Sequence, residues 1–437
     1  MLMCAQTLVK DLWTLRLQRV QSKVLYESET DTEAPSSQVF SSQSESEHTT
    51  ASRSTRRSRK RDEQVKGGSP KLVETLSLCY IGLLLLRIPV TVADIHRWTN
   101  AADLLYYRAV QQVPLGMRER LPPRYQALLE PQDLLPPSAL HEEVLVMLRA
   151  FSKNAGMSPP VLNLPLVLYR WLRDLMLPVE IYAATQRLAE IVALKFEFTV
   201  SDTPGARNNL QYPETRLMAL LVVATKLLFP LDGVVRDVNT ATDLSAICMD
   251  WKSWQTQLSA RESAQARDTA LSFEQAFAFG ETDCFEAADD KLDAYLDWYQ
   301  ESLASEEIRT RGKAGKDADL RRALFEMFPL HTEQPRHDAA ALNRSEGDLD
   351  TQLQTVQGRV QSRGLSNPSS SGGNPPTGSH YRRFRSADEL AGVGKVFFER
   401  AAGLAGLSVE EMVQAVLAVE RKVQKVEEKL RKNAAGK

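Results

Sequence analysis

Catalysis and metal binding need nucleophiles, bases or ligands at characteristic spacings, and this sequence of 437 residues offers few. Neither His96 nor His141 has a His, Cys or Glu partner at the spacing of a zinc site, so a structural role is expected for both. Cys4, Cys79, Cys248 and Cys284 stand far apart and form no C-x-x-C pair, so neither a disulfide framework nor a metal site can be read from them. Asp289, Asp290, Asp293 and Asp297 gather acid on one segment but lack the glycine and terminal glutamate of a calcium loop, which leaves a solvated helix face. No nucleophile elbow, phosphate-cradling G-x-x-x-x-G-K-[ST] loop or G-x-G-x-x-G turn occurs. The expectation is a protein with no catalytic residue, no metal ligand and no cofactor of its own.

The chemistry left to it is charge. Arg53, Arg56, Arg57, Arg59, Lys60 and Arg61 form a dense cluster in a Ser-rich setting, a pattern suited to nuclear localisation or to phosphate contact. Arg87, Arg97, Arg108, Lys195, Lys226 and Arg236 flank apolar helical segments and are the candidate nucleic-acid-binding residues; Lys226 is expected to reach water on its long stem. Tyr381 to Arg385, YRRFR, interleaves aromatics with arginines in the manner of a stacking and phosphate contact, or of a solvated turn. Trp251, Trp254, Trp298 and Tyr299 read as core or interface anchors. With 54 Lys+Arg against 56 Asp+Glu the net charge is −2, so there is no global basic field and any nucleic-acid contact must come from local patches.

The elements that must position these residues are helices. Apolar residues make up 43% of the chain, enough for real cores, and no run shows the sustained alternation of a strand. Residues 1–26 carry Leu8, Leu12 and Leu15 at helical spacing, a helix opening almost without a cap, as though the chain enters partway into a domain. Residues 27–70, acidic and Ser-rich and then basic, are too poor in aliphatics to bury a core and are expected to be a disordered insertion. Over 71–137, Leu72 to Leu86 reads as a buried helix stopped by Pro89, Thr91 caps the helix Val92 to Trp98, and a Pro-rich bridge follows from Pro122 to Pro137. Over 138–328 a second helical group includes Pro165 to Leu175, a helix from Pro178 to about Phe196, and Thr215 to Phe229, the most apolar helix of all, opened by Pro213 and closed by Pro230 and Gly233. Residues 329–383 read as a disordered linker, and 384–437 as a helical tail whose charge-laced segment Val409 to Lys432 is exposed or partner-bound. The longest apolar run, Leu76 to Leu86, reaches about half of the ~20 residues a bilayer span requires, and no secretory signal is seen, so a reducing intracellular setting without a membrane is expected. Both apolar helices end in a basic residue and a proline, which suggests duplication of one unit, each helix sitting at the centre of a separate five-helix bundle.

Leu175 to Phe196, LMLPVEIYAATQRLAEIVALKF, with Tyr212 to Gly233, YPETRLMALLVVATKLLFPLDG, resembles the second cyclin fold of the RNA polymerase I core-factor subunits related to transcription factor IIB. In animals the counterpart belongs to the TATA-box-binding-protein-associated polymerase I promoter-selectivity factor. Lys71 to Trp98, KLVETLSLCYIGLLLLRIPVTVADIHRW, is similar to the central helices of the family's first cyclin fold, Val9 to Gln18 to the helix before it, and Asp293 to Gln300, DAYLDWYQ, is a weaker echo. The resemblance implies an all-α fold of two tandem cyclin-like bundles. It also implies a promoter-bound factor in the nucleus and nucleolus that recruits RNA polymerase I to the ribosomal DNA promoter, with the TATA-binding protein and other core-factor subunits as partners. A cyclin-like regulatory partner of a protein kinase is the alternative. The family further carries an N-terminal ribbon that binds zinc, whose paired cysteines are absent here, so polymerase contact through a ribbon is not assigned to this chain.

Overall fold

The structure, a computed structural model, describes residues 5–18, 70–101, 103–131, 133–198, 210–232, 234, 236, 247–268, 271, 273–280, 289–302, 351, 354, 357, 358, 360–362 and 380–435. The basic cluster Arg53 to Arg61 and nearly all of the insertion expected over 27–70 lie outside the described residues.

The first helical group comprises α1 (5–18), α2 (Leu72–Leu85), α3 (Val92–Asn100), a 3-10 turn (Ala109–Gln112) and two short helices α4 (Leu115–Arg118) and α5 (Pro123–Leu128), and is followed by α6 (Pro137–Ala155). Leu76, Leu78, Tyr80, Ile81 and Leu84 are buried, and α2 packs along α6 with α3 beside it. α6, which the sequence places at the start of the second group, packs against the first across the boundary between them. α1 crosses α2 at Gly82, where an added Cβ would stand 2.9 Å from Val9 Cγ2, so the missing side chain is what allows the approach. Arg16 then forks onto the buried Glu74 through two bonds of 2.9 and 2.8 Å, tying α1 to the first turn of α2.

The second group comprises α7 (Leu164–Asp174), α8 (Glu180–Val192), α9 (Pro213–Leu228), α10 (Trp251–Asp268), α11 (Phe273–Phe277), α12 (Asp289–Ser302), α13 (Gly392–Ala405) and α14 (Val409–Ala435). α9 is buried nearly all round from Pro213 to Lys226, Arg216 excepted, as its lack of a polar stripe requires. Its cover is α8 on one side and the C-terminal hairpin of α13 and α14 on the other.

That hairpin is a correction to the expected exposed or partner-bound tail. Phe397, Phe398, Ala401, Met412, Val413, Val416 and Val419 are fully or almost fully buried, so the N-terminal half of α14 belongs to the core. Within the range expected as a linker, Gln361–Ser362 pairs antiparallel with Ile247–Cys248 as the two short strands β2 and β1.

The repeated unit also differs from the expected one. After α2, Arg87 adopts the left-handed conformation (φ 60°), its N–H reaches Leu84 O at 3.0 Å and that of Ile88 reaches Leu83 O at 3.1 Å. After α7, Met176 does the same (φ 48°), with Met176 N–H on Arg173 O at 3.1 Å and Leu177 N–H on Leu172 O at 3.0 Å. Both turns run into Pro-Val, Pro89-Val90 and Pro178-Val179, and then a new helix. The duplication therefore equates α2–α3 with α7–α8, by the same paired carbonyl cap, whereas the sequence equates α2 with α9.

Nor are the cores separate. The buried side chains around α2 and those around α9 form one continuous apolar cluster. Each apolar helix has its own set of packing partners within that shared cluster.

Candidate functional site

The seam between the two groups is built from charge placed on helix ends. Thr91 and Asp94 form a capping box at the start of α3, the Thr91 N–H donating to Asp94 Oδ2 at 2.8 Å. From α7, Arg170 pairs with Asp94 Oδ2 at 2.6 Å and donates to Pro89 O at 2.6 Å, so it grips the α2–α3 turn from the other group. Glu214, in the first turn of α9, accepts from the Tyr80 hydroxyl at 2.7 Å and from the Val92 N–H at 3.2 Å. It thereby caps the free amides of α3 from across the seam. Burial pushes its carboxyl up to about 7, against the two hydrogen bonds and the Arg170 charge, which favour ionisation.

Two sequence-selected residues flank this seam. Arg87 is exposed at the left-handed position, and its guanidinium donates to Val161 O while its carbonyl accepts from Asn163 Nδ2 at 2.8 Å. Arg97 is exposed and pairs with the other oxygen of Asp94 at 3.1 Å. Arg108 lies apart, left-handed (φ 54°) and 3.3 Å from Glu130. Lys195 is exposed after α8, and its carbonyl accepts from Arg216 at 2.7 Å.

Lys226 and Arg236 come together, but inside. They line a cavity of about 620 Å³ with Val223, Trp251, Tyr381 and Glu420 among its walls. Lys226 does not reach water as expected: it is 6% exposed, its Nζ is 2.6 Å from Glu420 Oε1, and it lies over the rings of Tyr381 and Phe384 at 4.7 and 4.8 Å. Burial pulls its ammonium below the ordinary lysine value, and the Glu420 carboxylate pushes back. Arg236, also buried, pairs with Asp232 at 2.5 Å. The reason is the C-terminal hairpin, which covers the end of α9 from more than 150 residues away; a snorkelling lysine needs an open helix end.

The same contact places the YRRFR segment. The Tyr381 hydroxyl donates to Glu420 Oε1 at 2.6 Å, so this segment straps the buried ion pair, while Arg382 and Arg383 are exposed. Trp254 is buried, its indole N–H 2.7 Å from Leu175 O, an anchor as its size suggests; Tyr299 is exposed. His141 is buried with Nε2 3.0 Å from Ala405 O, and burial lowers its imidazole to about 4. Sequence reasoning missed Arg170, Glu214, Arg216 and Glu420. The one available signal was Glu214, an acid just after Pro213 at the start of an otherwise apolar helix.

The residues present do not fit the zinc that the resemblance implies for a ribbon. Cys79 sits on α2 with its thiol pushed up by burial, Cys248 lies in β1, and among the described residues no three His, Cys, Asp or Glu gather as a ligand set. Among the described residues, no single helix is long and apolar enough to cross a membrane.

Two family models match the chain: "Rrn7/TAF1B, N-terminal cyclin domain" over residues 4–115, and "Rrn7/TAF1B, C-terminal cyclin domain" over 134–303. The chain is 23% identical over 267 residues to the RNA polymerase I-specific transcription initiation factor rrn7 of Schizosaccharomyces pombe, covering 57% of this chain and 50% of that protein. It is 29% identical over 175 residues to a TATA box-binding protein-associated factor of RNA polymerase I from Gallus gallus, covering 36% of this chain and 28% of that protein. A chain in the crystal structure of the S. cerevisiae core factor aligns with a TM-score of 0.47 at 12% identity, covering 96% of this chain and 98% of that one. The chain spans half or less of the length of the curated relatives it matches. The two domain models, adjacent and in order, together cover more than half of the sequence, and the chain belongs to the Rrn7/TAF1B family as a protein of two tandem cyclin domains.

Proposed function

We propose that this protein is an RNA polymerase I transcription initiation factor that assembles the pre-initiation complex at the ribosomal DNA promoter. The observation that carries this reading is the match to both Rrn7/TAF1B cyclin domains, supported by two relatives named as a polymerase I initiation factor and a polymerase I-associated factor. Its contribution is binding surface and no chemistry. Its partners are the ribosomal DNA promoter, other core-factor subunits, the TATA-binding protein and RNA polymerase I, and its place of action is the nucleus, in the nucleolus. Arg87 and Arg97, exposed beside the seam, and Lys195 are the sequence-selected residues open to phosphate contact.

Affinity purification of the full chain followed by mass spectrometry tests the proposal. The expected companions are polymerase I initiation subunits with the TATA-binding protein; a protein kinase and its substrates as the sole companions would overturn it.

A further inference from the structure

The last part of α14 leaves the core and keeps going. Residues Arg421, Lys422, Lys425, Lys429 and Lys432 lie along it, all five exposed. At 100° per residue they fall within an arc of about 100° on one side of the helix, and the four lysines follow one another over about 15 Å. Glu427 and Arg431 lie on the other side, where Arg431 pairs with Glu427 at 2.6 Å; Glu428 borders the basic arc and accepts from Gln424 at 3.1 Å. None of the five cations has a carboxylate within ion-pair distance among the described residues.

The fold extends this stripe onto the body of the second cyclin domain. α14 packs along α9, the helix that carries Arg216, and burial, together with the charges of Arg216 and Lys425, holds the Lys422 ammonium below its ordinary value. Arg216 in turn binds the carbonyl oxygens of Leu210, Lys195, Glu197 and Gln211 at 2.6 to 3.0 Å. Burial holds the Arg216 guanidinium below its ordinary value, against the charge of Glu197. Lys195 is exposed on the same loop.

We propose that the basic face of α14, from Arg421 to Lys432, joined at its root to Arg216 and Lys195, is a docking strip for the phosphate backbone of duplex nucleic acid. Charge complementarity selects the occupant. A line of unpaired ammonium groups on a rigid rod matches a duplex carrying one charge per about 1.7 Å of axis. The face holds no aromatic side chain, so it has nothing on which the bases of a single strand could stack. Leu430 is the one large exposed apolar residue on this part of the helix, too little for an interfacial membrane helix. Lysines on phosphates carry no sequence information, so the strip adds affinity and register and leaves promoter choice to other surfaces. The strip lies outside both matched domains, and it deepens the promoter-assembly reading on which it rests.

The test titrates the full-length protein against a short labelled duplex, of promoter and of scrambled sequence, over a range of salt. The variant is the quadruple Lys422→Gln/Lys425→Gln/Lys429→Gln/Lys432→Gln, with the matching Lys→Arg quadruple as the charge-retaining control. The Gln variant is expected to bind both duplexes about tenfold or more weakly, with a salt slope shallower by about 3, while the Arg variant binds like the parent and both melt like the parent. An affinity within twofold of the parent with an unchanged slope would overturn the strip. So would a parent that binds no duplex, or a Gln variant that loses binding to anionic phosphatidylserine vesicles but keeps it to duplex. Co-purification is read separately on the same variants. Polymerase I companions retained alongside unchanged duplex affinity would sink the strip and leave the promoter-assembly reading standing, and companions lost from the parent itself would sink that reading.

Discussion

Glu214 and Lys226 stand at opposite ends of the most apolar helix in the chain, and each is ionisable where the surroundings disfavour charge. Glu214 holds its proton in the folded chain up to about 7 and loses it in the unfolded chain near the ordinary carboxylate value of 4.5. The folded state binds the extra proton between those values, so this residue makes stability fall as pH rises through that window. His141 acts in the opposite sense. Its folded value of about 4 lies below the ordinary 6.5, so stability falls as pH drops from 6.5 towards 4. Glu214→Gln removes the first dependence and leaves the second. Relative to the parent, chemical denaturation of the variant is expected to show growing relative stability from pH 5 to 7; a constant difference across that range would show that Glu214 does not titrate there.

Lys226 poses a pairing question. Lys226→Met leaves Glu420 buried with only the Tyr381 hydroxyl for company, and breaking such a buried pair costs about 3–5 kcal/mol. Lys226→Met/Glu420→Met removes both charges and is expected to recover most of that loss. Equal melting of the single and double variants would mean that the ion pair carries no net coupling.

At the scale of elements, the C-terminal hairpin is the piece that composition alone misplaces. Its turn, Gly406, has φ 65°, and an added Cβ would meet Ala93 Cβ of α3 at 3.2 Å and His141 Nε2 at 3.3 Å. The hairpin therefore touches the first group at its turn and covers α9 with its arms. Gly406→Ala combines left-handed strain with a close approach to both neighbours, and should lower the melting temperature by several degrees. Hydrogen exchange should locate the loosening in α13, α14 and the covered face of α9. An unchanged melt with unchanged protection of α14 would show that the turn is not held against α3.

Helix identity and caps were legible because they are local: Thr91 before Val92 and Pro213 at the first turn of α9 both depend on near neighbours. The burial of α14 was not legible. Its charged second half dilutes the apolar stripe Met412, Val413, Val416 and Val419 of its first half, and one periodicity averaged over both reads as an exposed helix.

At the scale of the whole molecule, two cyclin domains share one continuous apolar cluster, and the seam is closed by Glu214 on α3 and by Arg170 on Asp94. A shared core and two charged clasps reaching from the second group onto the first couple the unfolding of the two groups. Calorimetry is expected to show one main transition for both, with hydrogen exchange in α2 and α9 sharing the same protection limit. Two resolved transitions, with α2 and α9 exchanging at different limits, would mean that the seam is weaker than either domain.

The all-α class, the family and the two apolar helices were in the sequence, because helical periodicity and capping are written in residues a few positions apart. So was the supply of cations. Which cations would meet water was decided by tertiary structure alone. Lys226 and Arg236 look as available as Lys195 when read along the chain. A hairpin that folds back from residue 392 onward buries the first beneath Glu420, and the same hairpin carries four lysines out beside Arg216. Exposure is a property of what else packs against a helix end, and that partner lies far off in sequence.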